Sequence, residues 1–231
     1  MLRFDIITIF PNIFDSYFGT SIIKHAREKK LVDIKVHNLR DQAIDERGTV
    51  DGRPYGGGAG MVLMAEPLVK TVEKIIKSSP KIKKRKILIF SAKGKQFNQK
   101  LAYDWSQKYD QIIMIAGRYE GVDERVKTIL KAEEISIGPY ILTDGEVPAM
   151  TVVSAVTRLI PGAIKLESLQ EESHWNLLLK KEKGAIGSKG LEYPHFTRPE
   201  VFKYKGKNYK VPPVLLSGNH SKIKDWRQKH A

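Results

Sequence analysis

Residues 116–125, Ala-Gly-Arg-Tyr-Glu-Gly-Val-Asp-Glu-Arg, set two glycines among five charged side chains directly after an apolar run. Charges gathered at the end of a buried strand are costly unless they pair or bind something. Gly117 and Gly121 let the backbone approach a ligand closely, and Glu120 or Asp123 suits a hydroxyl or an ammonium group. The competing reading is a salt-bridged helix start, with Asp123 and Glu124 facing the positive end of the helix dipole. A second stretch, 136–150 (SIGPYILTDGEVPAM), reads as a strand running through a loop into a helix with proline near its first turn. Its apolar side chains suit the flanks of an adenine, with main-chain N–H and C=O groups reading the edge of the ring. A third, Tyr55-Gly56-Gly57-Gly58-Ala59-Gly60, lacks both the Gly-Lys-Ser/Thr of a phosphate loop and the usual dinucleotide setting. Flanked by Asp51, Arg53 and Tyr55, it reads as a substrate-facing loop, against the alternative of a flexible surface turn.

These segments need strands and helices to hold them. Apolar runs predict strands over residues 4–10, 34–36, 87–90, 111–115 and 134–137, and helical spacing predicts helices over 13–29, 66–76, 96–108, 124–130 and 148–159. The alternation implies an α/β domain with a largely parallel sheet, whose sites gather at the carboxyl ends of the strands. The loops expected there are 91–94, 117–121 and 138–145. After Pro161-Gly162 the chain turns charged and glycine-bearing, and its last residues, 221–231, read as a basic amphipathic helix.

The 231 residues suffice for one large domain and a small one. No apolar stretch approaches the ~18–20 residues of a membrane span, and the opening MLRFDIITIF reads as a strand, so a soluble, cytoplasmic protein without a membrane partner is expected. The absence of cysteine excludes disulfides, thiolate metal sites and a thiol nucleophile. No residue is assigned to a metal. A net charge of +14 favours a polyanionic partner such as nucleic acid.

The segments ITIFPNIFD, TVDGRPYGGGAGMVLM, SAKG, AGRYEGVDER, SIGPYILTDGEVPAM, RLIPG, PHFTRPEV and VPPVLLSGNH follow one another across nearly the whole chain. In order and rough spacing the sequence resembles the bacterial TrmD family of tRNA (guanine-N1)-methyltransferases. The resemblance implies a SPOUT-type parallel sheet whose C-terminal part threads a trefoil knot, plus a small, mainly helical C-terminal domain. Spacing alone would have rejected a knot. It further implies a knotted catalytic domain over 1–162, a linker over 163–190 and a short tRNA-binding domain over 191–231. A homodimer with each active site at the subunit interface is implied, as is transfer of a methyl group from S-adenosylmethionine to N1 of the tRNA guanosine immediately 3′ of the anticodon.

By this resemblance Phe90, Ser91, Ala92, Gly117, Glu120, Ile137, Gly138, Pro139, Tyr140, Ile141, Leu142, Gly145 and Pro148 hold the cofactor. Arg158 assists the guanine, and Glu172 is the general base, with Glu171 and His174 left open as alternatives because this segment departs from the family pattern. Asp51, Arg53, Tyr55, His195, Arg198, Asn219 and His220 are expected to meet the tRNA, and Mg2+ is left open as a second cofactor. Thr143-Asp144 stands where the family has serine and glycine, so Asp144 is expected to crowd a tight turn. The alternative function is an RNA-binding SPOUT protein with impaired catalysis.

Overall fold

A computed structural model describes residues 1–165, 169 and 193–230. The chain divides into two compact units, Met1–Ile164 and Lys165–Ala231. In the first, the order is β1 (Leu2–Thr8), a 3-10 turn (Pro11–Phe14), α1 (Asp15–Phe18), α2 (Ser21–Glu28), β2 (Val32–Asn38), β3 (Asp51–Gly52), β4 (Val62–Leu63), α3 (Ala65–Lys77), β5 (Arg85–Gln96), α4 (Gln99–Lys108), β6 (Gln111–Ile115), α5 (Glu124–Leu130), β7 (Glu133–Ser136) and α6 (Glu146–Thr157).

Five of these strands form one parallel sheet in the order β2-β1-β6-β5-β7. The central β6, Gln-Ile-Ile-Met-Ile, is buried at every position, as a strand covered on both faces requires. On one face, Leu68, Val72 and Ile75 of α3 and Val126 of α5 cluster with Ile7, Ile89, Ile113 and Ile115. The alternate residues Phe4, Ile6, Leu88, Ile112 and Met114 are buried on the other face, where α6 lies against β1 and meets α4 and α2. Each such side chain contributes roughly 1.5–3 kcal/mol relative to exposure.

One charge sits inside this core. Asp5 of β1 is fully buried and accepts hydrogen bonds from Arg3 (2.6 and 2.8 Å), His37 Nε2 on β2 (2.7 Å) and Gln111 Nε2 on β6 (2.6 Å). Burial alone would raise its pKa, but the donors from His37, Arg3 and Gln111 outweigh it and hold the carboxyl below its ordinary value.

The single helix expected over 13–29 is broken in two. Gly19 closes α1 by donating to the Asp15 carbonyl, and extended Thr20 (φ −128°, ψ 157°) restarts the chain into α2. The strand expected to end at Phe90 runs on to Gln96.

In the second unit, β8 (Val201–Tyr204) and β9 (Lys207–Lys210) form an antiparallel hairpin ahead of α7 (Pro213–Leu216) and α8 (His220–His230). No strand is expected over residues 201–210. The hairpin escapes notice because lysines interrupt every apolar run, although aromatic and lysine residues alternate as a strand requires. Asn219 caps α8, its Oδ1 accepting from the Lys222 N–H at 3.1 Å. Most of the predicted linker, 163–190, lies outside the described residues. Among the described residues no helix is long and apolar enough to cross a membrane.

Candidate functional site

The parallel sheet brings the carboxyl ends of β5, β6 and β7 to one edge, where ligands of such sheets bind. Pairing between β5 and β7 shifts register between Phe90 and Lys95, so that both oppose Ile135. Residues 91–94, expected as a loop, are therefore a bulge bowed out of a longer strand. Gly94 permits the return: a Cβ there would stand 2.6 Å from the Glu134 carbonyl carbon and the Ile135 nitrogen.

The bulge, the segment after β6 and the segment after β7 wall a cleft of about 530 Å³. Phe90, Ser91, Ala92, Gly117, Glu120, Ile137, Tyr140, Ile141, Leu142, Gly145 and Pro148 all line it. Gly138 and Pro139 lie in the same loop without lining the cleft. The walls touch backbone to backbone, because the Gly145 N–H donates to the Gly117 carbonyl at 2.9 Å. A Cβ on Gly145 would stand 2.5 Å from the Gly117 nitrogen, so the contact exists only without one.

Ile137, Ile141, Leu142 and Pro148 give the cleft an apolar flank, whereas Lys93, Glu120, Asp123, Glu124, Lys127 and Glu134 give it a charged one. Most of these charges are paired. Lys93 meets Glu124 at 3.1 Å, and Lys127 bonds Glu134. Burial would raise the Glu134 carboxyl, but Lys127 and Lys93 hold it below the usual value, while the Arg125 side chain does the same for Asp123. Among the described residues no side chain hydrogen-bonds or ion-pairs with the Glu120 carboxylate, which leaves it available to a cationic group.

The glycine run belongs to this site. It connects β3 to β4, and Gly56, Gly57, Gly58 and Gly60 all hold positive φ (84°, 82°, 116° and 81°), the region that favours glycine. The Glu120 N–H donates to the Met61 carbonyl, and the Leu63 N–H to the Gly121 carbonyl, both at 2.9 Å. Partly buried Asp51 and exposed Arg53 and Tyr55 thus stand on a loop tied to the Glu120 wall.

A sequence profile described as "tRNA (Guanine-1)-methyltransferase TrmD" matches residues 2–231. The chain belongs to this family. Relatives carrying the name tRNA (guanine-N(1)-)-methyltransferase include one from Dictyoglomus turgidum, 48% identical over all of this chain and 85% of its own length. One from Thermomicrobium roseum is 45% identical over 98% of this chain and 78% of its own, and one from Clostridioides difficile is 42% identical over 100% and 92%.

Within this family member, sequence reasoning missed a buried cluster behind the cleft. Glu146 opens the otherwise uncharged helix α6 and is fully buried; Thr8 Oγ1 donates to it at 2.5 Å and Arg118 Nε at 3.1 Å. Burial raises the Glu146 carboxyl against the pull of Thr8 and Arg118. Arg118 also covers the Phe10 ring at 4.6 Å. A lone carboxylate at the head of an apolar run was the available signal. Asp144, expected to crowd its turn, instead caps α6: its Oδ1 accepts from the Glu146 and Val147 N–H groups, both at 3.0 Å. Its burial is outweighed by those N–H groups, Thr143 and Arg118, which hold its pKa low.

Other predicted residues lie elsewhere. Arg158 stands at the far end of α6, about 18 Å from the Glu146 end at 1.5 Å per residue. His195, Arg198, Asn219 and His220 belong to the second unit, where His195 packs on Tyr193 with ring centroids 4.7 Å apart and Asn219 serves as a cap. Glu171, Glu172 and His174 lie outside the described residues. Among the described residues no group of three His, Asp or Glu side chains is arranged to hold a metal ion.

Proposed function

We propose that this chain methylates N1 of the guanosine immediately 3′ of the anticodon in tRNA, using S-adenosylmethionine. The carrying observation is the cleft where Gly117 and Gly145 meet without side chains between an apolar flank and the unpaired Glu120 carboxylate. That flank fits an adenine, the bare backbone fits its polar edge, and Glu120 fits an α-ammonium group. When bound, the donor supplies an electrophilic methyl on sulfur, so the new bond joins that carbon to guanine N1 and the broken bond leaves a neutral thioether.

Guanine N1 carries a proton at neutral pH, which must leave as the bond forms. Glu172 takes that proton, with Glu171 and His174 as alternatives on the same segment. Arg158 steadies the negative charge that builds on the ring. Its separation from the cleft along α6 favours a homodimer, in which one protomer's Arg158 serves its partner's cleft. The close passage of residues 116–117 against Gly145 agrees with a trefoil knot holding the cofactor. The +14 charge favours tRNA, gripped by Asp51, Arg53, Tyr55, His195, Arg198, Asn219 and His220 and by a small domain beyond the linker; a tRNA substrate puts the reaction in the cytoplasm. Mg2+ enters as a candidate second requirement, read by the loss of rate in EDTA.

The test is transfer of a tritiated methyl group to tRNA transcripts bearing guanosine or adenosine beside the anticodon. Labelling of the guanosine transcript alone is expected. Equal labelling of both, or of neither, overturns the proposal.

A further inference from the structure

The β8–β9 hairpin supplies none of the residues that line the cleft. Its eight strand residues are all exposed, among them Phe202 (56%), Tyr204 (53%) and Tyr209 (54%). An isolated two-stranded hairpin is only marginally stable in water, and these rings bury too little of themselves to remedy that. Three large apolar rings left in solvent on so short an element point to a partner.

The pairing register puts the rings together. Phe202 opposes Tyr209, and Tyr204 opposes Lys207, so all four residues share one face, because opposed residues project to the same side. The Phe202 and Tyr204 rings are nearly parallel, 10° apart in plane with centroids separated by 6.2 Å. The turn is a two-residue one, Lys205-Gly206, both at positive φ (47° and 76°), and Lys205 Nζ lies 5.4 Å from the Tyr204 centroid. Lys207 shares the rings' face and Lys205 holds the turn beside Tyr204, whereas Lys203 and Lys210 oppose Asn208 and Val201 on the other face; no acidic residue stands between Val201 and Lys210. The Val211 N–H donates to the Glu200 carbonyl at 2.9 Å and closes the base of the hairpin.

Flat exposed π faces interleaved with ammonium groups match a polyanion whose bases are accessible. Stacking answers to the bases, and lysine answers to the phosphates between them. A duplex keeps its bases stacked on one another and offers these rings nothing, whereas looped RNA splays bases onto aromatic side chains. We propose that the β8–β9 hairpin is a stacking platform for unpaired bases of RNA, with Phe202, Tyr204 and Tyr209 as its surface and Lys205 and Lys207 as its phosphate clamp. The inference rests on the reading of the substrate as tRNA, and narrows it to contact with a looped region.

The experiment measures equilibrium binding of the full-length protein to fluorescent RNA by anisotropy across a salt series. The probes are an anticodon stem-loop and a blunt RNA duplex of equal length, with anionic phosphatidylserine vesicles as a third arm. Phe202→Ala, Tyr204→Ala and Tyr209→Ala should each weaken stem-loop binding by roughly 5- to 150-fold, the range for loss of one stacked base, with the salt slope unchanged. Tyr204→Phe keeps the ring and should bind as the parent does. Lys205→Gln and Lys207→Gln should instead lower the slope of log K against log salt by about 0.7–0.9 each. Binding of S-adenosylhomocysteine to the cleft should be the same in every variant, which separates the hairpin from the methyl-donor site.

Alanine variants that bind the stem-loop within about twofold of the parent overturn the inference, as does equal weakening on the blunt duplex. It also falls if the variants lose vesicle binding and keep RNA binding, or if they change oligomeric state, since the face would then serve a membrane or a second copy. A parent protein that methylates tRNA while its alanine variants bind unchanged sinks the hairpin alone. One that binds looped RNA through these rings but methylates nothing sinks the enzymatic reading alone, and one that binds no RNA sinks both.

Discussion

Gly145→Ala isolates the contact between the two cleft walls. The backbone there has φ −92°, which alanine adopts freely, so the substitution introduces no conformational strain of its own. Its Cβ would stand 2.5 Å from the Gly117 nitrogen, 2.7 Å from the Ala116 Cα and 2.8 Å from the Ala116 carbonyl carbon. All three are main-chain atoms and cannot rotate aside. Restoring an ordinary separation of about 3.5–4.0 Å moves the walls apart by about 1 Å, which takes the 2.9 Å hydrogen bond from Gly145 to Gly117 out of range. Displacements of that size cost up to about 100-fold in catalytic efficiency. Overpacking of about 1–3 kcal/mol lowers Tm by roughly 2–12 °C in a chain of this size.

Calorimetric titration with S-adenosylhomocysteine should show binding weakened at least about tenfold, equivalent to ~1.4 kcal/mol, and kcat/KM for tRNA should fall further. Gly138→Ala is the control. The nearest atoms to its Cβ are at the end of the Tyr140 ring, a side chain that is 53% exposed and tied only by a 3.2 Å hydrogen bond to the Ile137 carbonyl, so the ring can give way where the main chain at Gly117 cannot and the loss should be smaller. If Gly145→Ala binds within about twofold of the parent, or if Gly138→Ala loses as much, the touching glycines do not shape the site.

Asp5→Asn should destabilise the fold by about 3–5 kcal/mol at pH 7, because an amide N–H would face donors that now meet a buried carboxylate. Since the folded carboxyl titrates below its unfolded value near 3.9, that stability is present above about pH 4 and lost as pH falls through the folded pKa. The gap between parent and variant in denaturant unfolding should therefore narrow below about pH 4. Asp144→Ala removes the acceptor of two N–H groups at the head of α6 and should cost about 1 kcal/mol, read as a Tm lower by roughly 2–4 °C. Glu172→Gln should lower kcat by about 10²- to 10⁴-fold with S-adenosylhomocysteine binding intact; a full rate moves the base to Glu171 or His174.

The alternation of apolar runs foretold the parallel sheet, because Ile112–Ile115 of β6 and Ile87–Phe90 of β5 are continuous hydrophobic segments that suit a strand covered on both faces. Glycines among charges at Gly117 and Gly121 likewise marked the cleft, since that combination is unfavourable in a plain strand end. What escaped were features set by tertiary geometry. The bulge at 91–94 depends on β7 offering Ile135 to two partners, which no local pattern of β5 reveals. The burial of Glu146 depends on Thr8, 138 residues away, turning its hydroxyl inward. Asp144 caps α6 where its sequence position suggests crowding, because a capping residue and a crowded turn look alike until the directions of the N–H groups are known. The hairpin was lost because its exposed rings bury no core and leave no apolar periodicity beyond two residues.

The carboxylate of Asp5 takes hydrogen bonds from its own strand and from both neighbouring strands at once. Only a sheet in which β1 lies between β2 and β6, in the right register, satisfies it; any other order strands a charge in hydrocarbon. The residue therefore acts as a proofreader of assembly, penalising misordered sheets during folding. It also ties Arg3, His37 and Gln111 to one carboxylate, so that loss of any one donor leaves the buried charge less well satisfied by the other two.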